Sequence, residues 1–495
     1  MFNSVVQLPQ DGSRPGVENI LSETTGLNAP MPIEADVEVD VLVIGAGGCG
    51  LAAAIAAHEA GAEVAVVEKG NAIAGNTSRS SGSIPGAGTR FQAEKGIVDD
   101  AERFAADLLR VSGEHDAPHL TRRLAEVSAE LVEWLADTAR VELELIDTYR
   151  HVGHSVHRLH APPDKRGVTL MDGLLREAER RDIPVAFGNP ATSLIVADGA
   201  VLGAETENNQ GERVRIAGKA TILAVNGFGS DRELVRRYCP AAGEAEYAGA
   251  PTSEGEALRW GLPLGAATGN LGAYQGHASL ADPHGVLVTW TLVEKGGIIV
   301  DSAGARFADE SIGYSAFAEK EFLRSGPFYV IYDAAICEAV AANQEEFGKL
   351  VEMGGALAAE DAATLAARLG LDAAALEATL LAARQAAEGT AADRFGRTAW
   401  GNGALGGELR ATRIVPALFH TQGGLAVDAD ARVLNTQGRP IPGLFAGGGA
   451  AAGISGREGS TGYVSGNGLL AALGLGLIAG RAAAAAAAET RREAC

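Results

Sequence analysis

One six-residue stretch limits this chain more than any other. Gly45-Ala46-Gly47-Gly48-Cys49-Gly50 follows directly on a β-branched run at 37–44 and opens an alanine-rich, helically patterned run at 51–60. A second apolar run at 62–68 ends on Glu68, with Lys69 beside it. Strand, glycine turn, helix and strand in this order predict a βαβ unit with a GxGxxG turn. Each glycine has its own physical reason. Gly45 makes the tight turn, Gly47 leaves bare backbone for a pyrophosphate, and Gly50 lets helix and strand approach. The helix N-terminus then faces the phosphates, and Glu68 can accept from ribose hydroxyls. The stretch therefore predicts a dinucleotide site.

The rest of the chain is consistent with a large α/β protein. Helical patterns cover 98–138, strands are expected at 184–187, 193–196 and 220–225, and the last of these is apolar apart from Thr221, as a buried parallel strand should be. From about 272 the character changes to short strands (297–300, 328–332) between helices, including an alanine-rich helical stretch at 355–388; strands return at 420–447, before a long C-terminal helix. We read a polar N-terminal extension at 1–35, a nucleotide-binding domain split into 36–271 and 420–495, and an inserted domain at 272–419. The extension has no basic n-region and no apolar core, so no signal peptide is expected. The longest apolar run, 468–480, falls short of the ~20 residues of a membrane span and is expected to be a buried helix, with the alanines at 482–488 as its frayed, exposed end. A formal net charge of −22 argues against nucleic acid as a partner. Cys49, Cys239, Cys337 and Cys495 are too scattered for zinc, iron-sulfur or attached haem, and fit a reducing cytoplasm.

Further segments narrow the dinucleotide. Gly75-Asn76-Thr77-Ser78-Arg79-Ser80-Ser81-Gly82 lies just beyond the second strand; Leu223-Ala224-Val225-Asn226-Gly227-Phe228-Gly229, Gly304-Ala305-Arg306-Phe307-Ala308-Asp309-Glu310, Thr421-Gln422-Gly423-Gly424 and Ile441-Pro442-Gly443-Leu444-Phe445-Ala446-Gly447-Gly448 follow. With these the chain resembles, over about 38–481, the fumarate reductase/succinate dehydrogenase flavoprotein superfamily, which includes the 3-ketosteroid Δ1-dehydrogenases. The resemblance implies an α/β fold with a Rossmann-like FAD-binding domain of glutathione-reductase type, interrupted by an α+β capping domain. It implies FAD contacts from the segments at 75–82, 226–227 and 448, and from the helix start at Gly466-Asn467, whose backbone would face the flavin. Respiratory members tether flavin to a histidine in the segment equivalent to 75–82; none stands there, so non-covalent FAD is expected. Gly449 departs from the family's Glu or Asn and is not counted as a contact.

The resemblance also implies the chemistry. Fumarate reductases use an arginine after the RFxxE element as proton donor and another, in an RLGGN element, as carboxylate clamp. Here those positions fall on Tyr314 and Tyr463. Both substitutions are similar to the ketosteroid dehydrogenases, where one tyrosine is the base and the other holds the substrate carbonyl. A saturated ketone would rest on Tyr463 and a backbone N–H near 466–468, lose its α-proton to Tyr314 and its β-hydride to flavin N5. Tyr314 would need a neighbouring cation or hydroxyl to act as base at neutral pH. His277 and His420 occupy places that bind carboxylates in fumarate reductases, which points instead to an oxo acid such as 4-oxocyclohexanecarboxylate, a substrate of desaturases that resemble both groups.

The expected function is thus an FAD-dependent ketone desaturase, with a cyclic ketone or oxo acid as substrate and a diffusible acceptor such as oxygen, a quinone or a carrier. An ene-reductase of an unsaturated acid and a non-catalytic flavin-binding redox partner are the alternatives. His151, His154, His157 and His160 recur every third residue, a period that keeps them on no single helix face or strand face, so no metal site is expected. With Arg158 they are expected to line the approach to the flavin.

Overall fold

The structure is a computed structural model that describes residues 34–493. The extension expected at 1–35 lies almost wholly outside the described residues, as does Cys495. The strand Val37–Ile44 runs between Val64–Glu68 and Arg213–Leu223, parallel to both, in an eight-stranded sheet. Val185–Phe187 and Pro440–Ala446 extend the parallel part on either side, and Arg432–Leu434 closes one edge antiparallel. From Val41 to Ile44 every side chain is buried, which is why this run is continuously apolar rather than alternating.

A second, seven-stranded sheet is built around Leu409–Thr421, which pairs antiparallel with Gly272–Ala281 and Phe328–Asp333; Ile298–Val300 lies outside the latter. Two-residue strands from elsewhere in the chain join it: Glu246–Tyr247 pairs with Leu409–Thr421, and Glu458–Gly459 with Gly272–Ala281. The second sheet thus recruits chain from both sides of the stretch expected to form an inserted domain.

The strand expected at 193–196 is the middle of Ala191–Ala197, half of an antiparallel hairpin with Ala200–Glu207. Two sequence expectations change. The alanine-rich helix expected at 355–388 is a short strand, Leu357–Ala359, followed by two helices, Ala362–Leu369 and Ala373–Ala387. Gly370, at φ +72°, stops the first helix, and the Asp372 side chain accepts from Ala375 N–H to start the second. The alanine tract does not fray: the last helix runs unbroken over Asn467–Glu493, and Ala483, Ala484 and Ala487 are buried.

That helix is long and apolar enough to cross a membrane, yet 72% of its most apolar stretch is buried inside the protein. It packs against the helix Gly48–Glu59 at backbone distance. A Cβ on Gly476 would lie 2.5 Å from the Cys49 carbonyl oxygen, and one on Gly480 would lie 2.2 Å from that of Ala53. Glycine is required there by contact. Gly480→Leu is therefore expected to cost at least about 3 kcal/mol of stability in a denaturant melt, whereas Ala485→Leu, on an exposed position of the same helix, should be near neutral. Equal melts for the two variants would contradict this packing.

Candidate active site

The first strand ends at Gly45, where φ is +108° and a Cβ would lie 2.4 Å from the Ala224 carbonyl oxygen of the neighbouring strand. Gly50 tightens the same turn, since its Cβ would lie 1.7 Å from the Gly45 oxygen. Gly47 is different: a Cβ there would meet no protein atom within 4 Å. Its open side is a cavity of about 1030 Å³. The helix Gly48–Glu59 opens on this cavity with no side-chain cap, so its first N–H groups are available to an anion. Glu68 closes the strand beyond, accepting from Ala46 N–H at 2.8 Å and Gly70 N–H at 2.7 Å. Lys69 pairs with Glu254 and Glu256 on the same wall. The Asn76 side chain accepts from Ala250 N–H at 2.7 Å but leaves its buried Nδ2 without a partner. An uncapped helix start, a bare glycine facing open space and an orphaned amide donor fit a dinucleotide phosphate and its ribose.

Of the cofactor residues expected from sequence, Gly45, Gly47, Gly48, Glu68, Lys69, Gly75, Asn76, Thr77, Ser81, Asn226, Gly448 and Gly466 line this one cavity. Four do not reach it. Gly50 shapes the turn from behind, and Gly82 sits against Pro162 and the Arg166 carbonyl. Gly227 packs on Thr421, and Asn467 is fully buried, donating to Ser455 Oγ at 3.2 Å. Gly449, discounted on sequence grounds, does line the cavity.

At its other end the cavity is walled by rings. Tyr314, the first residue of the helix Tyr314–Phe322, meets Tyr463 edge to face at 6.1 Å. The Tyr463 hydroxyl accepts from Gly468 N–H at 3.3 Å, beside the start of the last helix. His277 stacks between Tyr314 at 4.7 Å and Phe419 at 5.2 Å, and Trp290 stands edge-on to both His277 and Tyr314. His420 meets Tyr463 at 5.9 Å. The four residues expected to do chemistry, Tyr314, Tyr463, His277 and His420, are thus brought together.

Burial dominates their electrostatics. Burial pushes His277 down to about 3 and His420 down to about 4, so both imidazoles are neutral at pH 7. Ser279 N–H donates to His277 Nδ1 at 3.2 Å, which leaves the proton on Nε2. Neither histidine supplies a charge for a carboxylate. Burial also raises the Tyr314 phenol well above its ordinary value of 10, and the nearby Tyr463 adds to the rise. A hydrogen bond with the Ser465 side chain opposes this but is outweighed, and no cation is among the groups acting on Tyr314. Tyr463 is pushed up to about 12 by burial, with the Gly468 N–H and Tyr314 opposing.

Sequence reasoning missed Ser465, Tyr149, Phe419 and Glu294 in this wall. Only Ser465 carried a signal, two residues after Tyr463. The histidine repeat also resolves differently. His151 lines the cavity, but Arg158 is wholly buried and takes no part in the approach. It grips Asp99 through Nε and Nη2 at 2.7 and 2.8 Å, and Asp107 through Nη1 at 2.9 Å. Its Nη1 also donates to His154 Nδ1 at 3.2 Å, so His154 Nε2 donates to the Ser465 carbonyl at 2.8 Å. His157 bonds the Tyr149 carbonyl and His160 the Thr89 hydroxyl. Arg158 and His154 anchor the loop that carries Tyr463 and Ser465.

A family model described as FAD binding domain matches residues 40–464. An NADH:fumarate oxidoreductase of Klebsiella pneumoniae is 31% identical over 453 residues, covering 90% of this chain; the chain spans only 47% of that protein's length. Among solved structures, the open conformation of a flavocytochrome c3 fumarate reductase matches with a TM-score of 0.77 at 26% identity, covering 92% of this chain and 79% of that one. A 3-ketosteroid-Δ4-(5α)-dehydrogenase from Rhodococcus jostii RHA1 shares the fold, with a TM-score of 0.72 at 24% identity over 92% of this chain and 99% of that one.

The two kinds of glycine contact give opposite expectations. Gly47→Ala should leave the apoprotein melt unchanged while weakening FAD retention on a desalting column. Gly50→Ala should lower the apoprotein melt itself, because its clash is with backbone. Identical behaviour of the two variants would show that the open side of Gly47 does not face the cofactor.

Proposed function

Because the chain belongs to the FAD binding domain family of the fumarate reductase/succinate dehydrogenase flavoprotein superfamily, we propose that it is an FAD-dependent oxidoreductase acting on the CH–CH bond beside a ketone, in the desaturating direction. Tyr314 and Tyr463, in edge-to-face contact at the cavity wall with the Tyr463 hydroxyl accepting from Gly468 N–H, carry this reading. FAD, when bound, supplies the two-electron acceptor for hydride from the β-carbon. Its attachment is non-covalent, in keeping with the lack of histidine at 75–82.

The residues divide the remaining work. Tyr463 Oη accepts from Gly468 N–H, which strengthens its own O–H as a donor to the substrate carbonyl oxygen, where it stabilises a developing enolate. Tyr314, beside it, exchanges the α-proton, and Ser465 is placed to share it. Phe419, Trp290 and the stacked His277 exclude water and shape an apolar slot for a cyclic ketone. In this reading electrons leave the site to a diffusible acceptor such as oxygen, a quinone or a carrier.

One observation favours a second reading. A phenol held well above 10 is a better donor than base, which suits ene-reduction, the direction named for several relatives, including a urocanate reductase of Eggerthella lenta. The tyrosines in place of carboxylate-binding arginines, and the neutral histidines, weigh against a dicarboxylate substrate in either direction.

Tyr314→Phe is expected to keep the yellow holoenzyme and to slow anaerobic flavin bleaching by a saturated cyclic ketone by at least ~100-fold; an unimpaired rate excludes Tyr314 as the proton-transfer group. The direction shows in the pH profile. A base works only when deprotonated, so bleaching by ketone should rise steadily up to pH 10. Reoxidation of reduced enzyme by an unsaturated ketone draws on the protonated phenol and should be flat over the same range. A bleaching rate that levels off near pH 7 would contradict Tyr314 as base.

A further inference from the structure

The substrate end of the cavity contains an acid that the chemistry above leaves unused. Glu294 ends the short helix Thr291–Glu294, four residues after Trp290, and lines the cavity with Tyr149, Thr291 and Tyr314. Its charge reaches both tyrosines and raises their phenols. Its carboxyl receives no hydrogen bond or ion pair from any described residue; the only cation acting on it is the adjacent Lys295, and that at a distance. A carboxyl facing an enclosed, mostly apolar space without a partner is costly unless something that enters the space completes it. Lys165, Arg166 and Lys349 also line the cavity, but none of them is among the groups acting on Glu294, and His277 is neutral while Tyr149, Tyr314 and Thr291 are uncharged at pH 7.

Resting on the ketone reading of the same site, we infer that Glu294 sets the charge specificity of the enzyme: it accepts a hydroxyl or amino group carried by the substrate away from its carbonyl, and it excludes a carboxylate there. A carboxylate seated in this chamber would meet another carboxylate with no cation between them, the kind of juxtaposition by which sites reject wrong ligands. This decides between two substrate classes that the tyrosines alone leave open, in favour of neutral or cationic ketones over oxo acids. Burial pushes the Glu294 carboxyl up to about 7, so the discrimination itself should titrate. The groups around it do not share that window: His277 and His151 are held near 3, Tyr149 near 12 and Tyr314 well above 10, while Lys295 is the one cation acting on it.

The test uses the oxidised FAD holoenzyme, kept anaerobic, and two matched probes, 4-hydroxycyclohexanone and 4-oxocyclohexanecarboxylate. Dissociation constants come from the perturbation of the flavin absorption band and turnover from its bleaching. At pH 8 the wild type should bind the hydroxyketone at least ~10-fold tighter than the oxo acid. Glu294→Gln should shrink that preference to within ~3-fold, mainly by tightening the oxo acid. Lowering the pH to 6 should shrink it in the wild type and leave the variant unchanged, a readout that needs no variant to fold. Equal preference in wild type and variant, a preference independent of pH in the wild type, or tighter binding of the oxo acid would each overturn the inference while leaving the ketone reading intact. Failure of both probes to bind or bleach would overturn the ketone reading itself.

Discussion

The close contact between the helices Gly48–Glu59 and Asn467–Glu493 is what the rest of the structure depends on. Cys49 lies against Gly476 and Ala53 against Gly480, so the two helices run parallel with their backbones touching. The register has a consequence. The C-terminal helix begins eight or nine residues before its contact with Cys49, so its N-terminus stands roughly 12 Å beyond that of its partner. One helix start meets the glycine turn at the dinucleotide end of the cavity, and the other reaches Gly468, Tyr463 and the aromatic wall. Two positive helix ends staggered along one cavity suit a ligand with phosphates at one place and an electron-rich ring further along. Cys49, at the contact, is buried with its thiol pushed up to about 12, which fits packing rather than reactivity.

Burial sets the electrostatics of the wall around Tyr314. Every ionisable group close to Tyr314 is driven toward its neutral form: the histidines down, the phenols and Glu294 up, each chiefly by burial. The cations are kept apart. Arg158, four residues from His154, is fully neutralised by Asp99 and Asp107 inside the protein and acts on the site only through the chain from His154 to the Ser465 carbonyl. For Asp107, burial alone would raise the carboxyl, but hydrogen bonds from Ser155 and Arg158 hold it well below the usual range, so that pairing is kept at neutral pH. An apolar wall with two phenols, one of them braced by a backbone N–H, is consistent with the proposed chemistry on a ketone rather than on a dicarboxylate.

Much of this was legible from sequence where local pattern and function coincide. The strand, glycine turn and helix at 37–59 need no tertiary information, because Gly45 and Gly50 answer contacts within the unit or with the adjacent strand. Tyr314 and Tyr463 could be placed only through motifs that lie beside them. What escaped was set by long-range packing. Gly82, Gly227 and Asn467 sit within recognisable segments, yet each turns its side away from the cavity, toward Pro162, Thr421 and Ser455. Arg158 reads as an approach residue until Asp99 and Asp107, some fifty residues distant, are seen to enclose it. Glu294 belongs to no motif, and only the fold turns it into the chamber. The break at Gly370 was visible as a glycine but was overruled by the alanine content on both sides.

The central claim, that the two tyrosines and the flavin act on one CH–CH bond beside a ketone, is most directly tested by anaerobic flavin reduction with a cyclic ketone deuterated at the β-carbon. The account predicts that wild-type enzyme bleaches with the unlabelled ketone and bleaches several-fold more slowly with the labelled one, because breaking that bond is part of the step observed. Bleaching at the same rate with both, or slowing only when the label is moved away from the α- and β-carbons, would contradict it.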